Sequence, residues 1–324
     1  MSFSDLESVL VRWNGLAGAS AILVNLSENH TFRLDLPDGG RFILRVHRPL
    51  YHSRAAIESE LAWMQALRRD ASLFTPQPLA GRNGEWVQEA PFTGPDDMRH
   101  MVLFAFETGD EPTPGEDLSP VFAQLGALAA QCHNHVTDWQ RPGWFTRQRW
   151  TARTILDPDA IWGDWRAAPG VAGEVRAVLD RLDAQLRARL AHYGMGTDRF
   201  GLIHADMRLA NLLVEGAETR LIDFDDCGFG WFGYDFAAGV SFFEDDPQVP
   251  ALRAAWIDGY RRHRVLTADD EDMLGDFVML RRMALLAWIG SHAEVDLARD
   301  MAPRFAPVTA GLAERYLAGD LFAP

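Results

Sequence analysis

An α+β fold of two lobes, a small antiparallel sheet carrying one helix followed by a larger and mostly helical part, is predicted by three features. β-rich runs crowd the first third, long helical periodicities fill the remainder, and 324 residues exceed the roughly 100–200 usual for one domain. The texture changes near Phe106, so residues 1–106 and 107–324 are expected to form the two lobes, with a cleft at their junction.

In the first lobe "SAILVNL" and "HTFRLDL" read as strands. "PDGG" (Pro37 to Gly40) is a turn signal leading into "RFILRVH", where Phe42, Leu44 and Val46 alternate with Arg41, Ile43, Arg45 and His47. "SRAAIESELAWMQALRR" has an N-cap serine, Ser53, and apolar Ile57, Leu61, Met64 and Leu67 at helical spacing. "RHMVLFAFETGDEP" reads as a closing strand. Four helical stretches follow, "PVFAQLGALAAQCHNHVTDW", "VAGEVRAVLDRLDAQLRARLAHY", "PALRAAWIDGYRRH" and "EDMLGDFVMLRRMALLAWIGSHAEV", with strand-like runs between the second and third.

A net charge of -15 argues against a nucleic-acid partner, which needs a basic face to release phosphate counterions. The chain contains no lysine, so all 31 basic residues are arginine. Cys132 and Cys227 are too few for a disulfide framework and sit in apolar surroundings. No run approaches the ~20 apolar residues of a membrane span, and the first residues lack a signal-peptide pattern. A cytoplasmic protein without a membrane partner is expected, as monomer or homodimer.

The chemistry concentrates in "LIHADMRLANLLV" and "TRLIDFDDCGFGWFGYD". The first has the form H-x-D-x-x-x-x-N, the spacing of a phosphoryl-transfer loop: a carboxylate, Asp206, to orient an attacking hydroxyl and accept its proton, then an amide oxygen, Asn211, to hold a metal ion. Twelve positions on, Asp223 ends an apolar run that delivers its carboxylate to the same edge. Mg²⁺ takes oxygen ligands, and one carboxylate, one amide and nucleotide phosphates are a suitable set. Taken singly, each residue also fits a structural role, His204 as a buried histidine bonded to backbone, Asp206 and Asn211 as turn formers, Asp223 as a strand cap. The ordered set favours chemistry.

Together these motifs resemble the aminoglycoside phosphotransferase and choline kinase superfamily, in particular its branch of type II homoserine kinases and bacterial stress-response kinases. The similarity runs from "SENHTFRL" to at least "AAWIDGYRR" and implies a protein-kinase-like fold, ATP and Mg²⁺. By that resemblance Asp206 is the catalytic base, Asn211 and Asp223 are metal ligands, His204 braces the loop, and Asp235 is a structural aspartate; Asp225, two positions after Asp223, is expected to assist at the metal. Arg208 is expected to help offset phosphate charge. A kinase-like fold also needs a cation on the third strand and a helical glutamate. Arg45 and Glu60 are the candidates, with arginine standing where the family usually has lysine; an ordinary surface ion pair is the competing reading. Ser27, Glu28 and Asn29 are expected to contact phosphates, and the backbone near Phe104 to Glu107, Phe106 included, to receive adenine.

The activity so implied is ATP-dependent transfer of the γ-phosphate to an alcohol hydroxyl of a small, amine-bearing molecule such as homoserine, an amino alcohol or an aminoglycoside. A protein Ser/Thr kinase is the alternative. Against it, Tyr234 follows only eleven positions after Asp223 and no A-P-E occurs, leaving no long activation segment. A nucleotide-binding pseudokinase is the second alternative, opposed by the intact Asp206, Asn211 and Asp223. His133 and His135, two apart on a helix, project to different faces and do not make a metal site. "EDD" at Glu244 to Asp246 reads mainly as a solvated helix end, although the resemblance also implies acidic residues for amino groups in the acceptor pocket. Trp139, Trp144, Trp150, Trp162 and Trp165 wall the acceptor site or fill core.

Overall fold

The computed structural model describes residues 6, 9–26, 29–94 and 96–323. They divide into two compact units, Met1–Gly109 with Gln140–Arg147, and Asp110–Trp139 with Gln148–Pro324.

The alternation in "RFILRV" puts Leu44 and Val46 into the core from β3 (Arg41–Val46). β3 pairs antiparallel with β2 (His30–Asp35) and with β6 (Met98–Ala105). The sheet order is β1-β2-β3-β6-β4, with β1 at Ser20–Leu26, β4 at Pro78–Leu79, and β5 (Gln88–Pro91) pairing with β6. The expected turn joins β2 to β3: Leu36 N donates to Gly40 O at 2.8 Å, and Gly39 takes φ +90°, which suits a residue without Cβ. Leu34, Leu44, Val46, Met101 and Leu103 pack with Trp13 into one apolar cluster.

Helix α1 (Arg54–Ala71) starts where Ser53 Oγ accepts from Ala56 N at 3.2 Å. It buries Ile57, Leu61, Met64 and Leu67 as its spacing requires, and Glu60 on the same face. The strap at 140–147 is tied to it: Thr146 N donates to Ser59 Oγ at 2.9 Å and Arg147 Nη1 to Ala56 O at 3.0 Å.

In the second unit α2 (Ser119–Asp138) and α6 (Val249–Arg261) approach through glycines. A Cβ on Gly259 would lie 1.8 Å from Ala123 O, and one on Gly126 would lie 2.1 Å from Trp256 O. Helix α3 (Ala152–Leu156) is short, and α4 (Gly173–Tyr193) matches its periodicity, burying Leu179, Leu182, Leu186 and Leu190. Two hairpin-like pairs, β7 (Phe200–Ile203) with β10 (Gly228–Trp231) and β8 (Leu212–Glu215) with β9 (Glu218–Leu221), precede α5 (Tyr234–Gly239).

The last helix read from the sequence is two. α7 (Ala268–Asp272) is capped by Thr267, and α8 (Leu274–Ser291) begins beyond Met273. α8 is apolar around most of its circumference and buried accordingly, with Arg281 and Arg282 buried inside it. α9 (Asp296–Ala318) lies beyond the elements read from the sequence, since Pro303 and Pro307 inside it interrupt a helical signal. Among the described residues no helix is long and apolar enough to cross a membrane.

Candidate active site

β7 ends at Ile203, and the chain turns sharply through Ala205, whose φ of +66° is unusual for a residue with a Cβ. Asp235, fully buried in the first turn of α5, holds that turn: its Oδ1 accepts from Ala205 N at 2.7 Å and its Oδ2 from His204 N at 3.2 Å. Asp235 Oδ2 also meets His133 Nε2 at 3.0 Å, while His133 Nδ1 meets the Tyr260 hydroxyl at 3.0 Å. Burial lowers the His133 pKa despite Asp235. A neutral ring that donates from Nε2 and accepts from Tyr260 satisfies every partner. Among the described residues no group of three or more His, Cys, Asp or Glu side chains is placed to hold a metal.

His204 braces the loop from inside. Its Nδ1 accepts from Asp206 N at 3.2 Å and its Nε2 donates to Ile222 O at 3.1 Å, and burial lowers its pKa, so the neutral ring suits both bonds. It thereby ties the backbone of Asp206 to the residue before Asp223. Ile222 N in turn donates to Asn211 O at 2.9 Å, continuing the β8–β9 register, in which Leu212 faces Leu221. Asn211 and Asp223 therefore flank one hydrogen-bonded step of backbone, with Asp223 at φ +56°. Asp225 is buried two positions on.

The Asp206 carboxylate is surrounded by donors. Asn211 Nδ2 lies 2.7 Å from its Oδ2 and 2.8 Å from its backbone O; Arg208 Nε is 3.3 Å from Oδ2; and Arg281 Nη2 is 2.5 Å from Oδ1. Burial pushes the Asp206 carboxyl up, but the Arg281 and Arg208 guanidiniums outweigh it, and its pKa falls below the ordinary carboxylate value. With the Asn211 nitrogen pointed at Asp206, the amide oxygen is the atom left to serve a cation. That oxygen and the Asp223 carboxylate make a hard, oxygen-only donor pair that fits Mg²⁺ completed by phosphate and water.

Arg281 was not among the residues singled out in the sequence. The available signal was a pair of adjacent arginines inside a helix apolar on all sides, because buried charges require partners. Arg281 stands over the rings of Trp162 and Tyr234, 5.1 and 5.9 Å from their centroids, and Trp162 meets Trp150 at 5.0 Å. Burial pushes the Tyr234 hydroxyl up to about 12. Trp165 lies elsewhere, its Nε1 on Asp183 at 3.3 Å, and Trp144 is largely exposed. Glu244 corrects the reading of "EDD" as a solvated end: it is buried and ion-paired with Arg282, whose guanidinium stacks 3.5 Å from the Phe305 ring centroid.

In the first unit, Arg45 and Glu60 are a buried pair, which removes the surface-pair reading. The Arg45 Nη2 atom lies 2.6 and 2.7 Å from the two Glu60 oxygens, and the guanidinium lies 5.2 Å from the Phe104 ring centroid. Asn29 is buried and its Oδ1 accepts from Arg48 N at 3.1 Å. Phe104 pairs with Ile43 and Pro78 in the sheet, Ala105 N donates to Gln77 O at 3.0 Å, and Phe106 packs on Arg41, 4.1 Å from ring centroid to guanidinium. Ser27 and Glu28 lie outside the described residues.

The family model described as "Phosphotransferase enzyme family" matches residues 23–266. Amicoumacin kinase of Bacillus subtilis (strain 168) is 22% identical over 282 residues, 84% of this chain and 79% of its own. Among solved structures, a microcompartment-associated aminopropanol kinase is 41% identical, with 99% of each chain covered and a TM-score of 0.90. An amicoumacin kinase in complex with AMP-PNP and Ca²⁺ superposes with a TM-score of 0.76 at 19% identity, covering 94% of this chain and 92% of its own.

Proposed function

Because the chain belongs to the phosphotransferase enzyme family, we propose that it moves the γ-phosphate of ATP to the hydroxyl of a short amino alcohol. The observation that carries the reading is the Asp206 carboxylate fixed beside Asn211, with Asp223 next in the chain to Ile222, whose N–H donates to Asn211 O. The choice of acceptor is supported by the 41% identity to a microcompartment-associated aminopropanol kinase over nearly the whole chain, and by a net charge of -15, which suits a cationic substrate.

In this reading the acceptor hydroxyl donates a hydrogen bond to Asp206 and its oxygen attacks the γ-phosphorus. The bond to the β–γ bridging oxygen breaks, ADP leaves, and the hydroxyl proton passes to Asp206. Since Arg281 and Arg208 keep the carboxylate ionised, Asp206 serves first to orient the hydroxyl and takes the proton late, as a loose transition state allows. Asn211 Oδ1 and the Asp223 carboxylate, with Asp225 behind them, would hold Mg²⁺, which when bound offsets the charge of the phosphates. Arg45, braced by Glu60, is assigned the α- and β-phosphates; Phe104 and Phe106 mark the adenine segment, and Asn29 the phosphate-covering turn.

Coupled ADP release across amino alcohols, homoserine, sugars and aminoglycosides tests the assignment. The highest kcat/KM is expected for short amino alcohols, and a sharp fall for the same alcohol without its amine. Equal turnover of the amine-free alcohol would overturn it.

A further inference from the structure

Arg281 touches the catalytic loop on both sides of one peptide. Its Nη1 donates to Ala205 O at 3.2 Å and its Nη2 to Asp206 Oδ1 at 2.5 Å. The third edge is used as well: Nε donates to Ser241 Oγ at 3.0 Å. The guanidinium is buried, roofed by Trp162 and Tyr234. Its five N–H groups form a rigid fork, so fixing three of its contacts fixes its plane and therefore the place of Asp206 Oδ1.

The backbone needs such a clamp. Ala205 sits in the left-handed region at φ +66°, a conformation residues with a Cβ keep only when the surroundings over-determine it. Asp235 holds the N–H of that residue and Arg281 holds its C=O. The Asp235 end is anchored through His133 and Tyr260, whereas the Arg281 end also reaches the reactive side chain. Arg208 meets the other oxygen from a more exposed position and at a longer 3.3 Å.

We infer that Arg281 is a positioning residue of this active site, splinting the strained Ala205 turn to the Asp206 carboxylate through Oδ1, while Asn211 and Arg208 meet Oδ2. This rests on Asp206 being the base. Arg281 does not touch the reacting atoms, and its removal leaves the nucleotide's own contacts in place. A displacement of the base by about 1 Å lowers turnover by about 10²-fold, and a loss confined to the transition state appears in kcat rather than KM.

The test compares Arg281→Met, Arg281→Lys and Ser241→Ala with the parent in steady-state kinetics with Mg-ATP and an amino alcohol, with thermal unfolding of each protein. Arg281→Met is expected to lower kcat by about 100-fold with KM for ATP within about threefold. Arg281→Lys, which keeps a charge on Oδ1 without the fork, is expected to recover about tenfold of that loss. Ser241→Ala, which frees only the Nε edge, is expected to lose about three- to tenfold in kcat at an unchanged unfolding midpoint. A folded Arg281→Met with kcat within threefold of the parent overturns the inference. So does a lysine variant no better than the methionine one. If Arg281→Met does not fold, parental kcat in Ser241→Ala overturns it instead. Asp206→Ala separates the two readings: if it is inactive while Arg281→Met is active, only the splint fails, and if it turns over normally, the base assignment itself fails.

Discussion

The side-chain nitrogen of Asn211 lies 2.7 Å from Oδ2 of Asp206, so one amide both steers the base and turns its oxygen outward. Changing Asn211 to Asp removes the donor and sets two carboxylates in contact, a repulsive arrangement in which one must protonate. Asn211→Asp is therefore expected to lose about 10²-fold or more in kcat, measured at saturating Mg-ATP. Activity close to the parent would show that the nitrogen does not matter to the base.

The left-handed backbone at Ala205 makes a second prediction. A β-branched side chain tolerates φ +66° poorly, so Ala205→Val is expected to cost about 2 kcal/mol of stability in denaturant titration. Ala205→Gly relieves the strain but gains freedom in the unfolded chain, and is expected to stay within about 1 kcal/mol of the parent. Equal stability of the valine variant would mean that the turn is not held in this conformation in solution.

Arg45 uses a single terminal nitrogen for both oxygens of Glu60, a contact an ammonium can also make. Arg45→Lys is accordingly expected to stay within about 1–2 kcal/mol of parental stability. Arg45→Met removes the guanidinium that meets both oxygens of the buried Glu60 and is expected to cost about 3–5 kcal/mol and to raise KM for ATP. Chemical denaturation of the two variants decides between a dedicated cation site and a replaceable ion pair.

His133 supplies the pH dependence. Its folded pKa is depressed by burial, so near pH 6.5 and below the unfolded chain binds a proton that the folded chain refuses. The stability tied to the neutral ring is fully present above the unfolded value and is lost as pH falls toward the folded one. Its contribution to the slope is at most about 1.4 kcal/mol per pH unit. His133→Gln is expected to flatten stability against pH below about 6.5 relative to the parent. An unchanged slope would mean that folding does not shift the His133 pKa.

Which parts were legible in the sequence follows from how local each signal is. Asp206, Asn211 and Asp223 belong to one loop and one hairpin, so their spacing alone brought them together. The strands of the first unit and α1 declared themselves through alternation, a turn and a capping serine. Arg281, by contrast, meets Asp206 at a separation of 75 positions and Ser241 at one of 40, and nothing periodic announces such contacts. Glu244 misled because an acidic run usually faces water; only the fold brings Arg282 to it. α9 was hidden by its two prolines.

Steady-state turnover of Asp206→Ala with Mg-ATP and a short amino alcohol bears most directly on the central claim. A fall in kcat of about 10²–10⁴-fold with nucleotide affinity retained is the predicted result. Parental turnover by the folded variant would contradict the account.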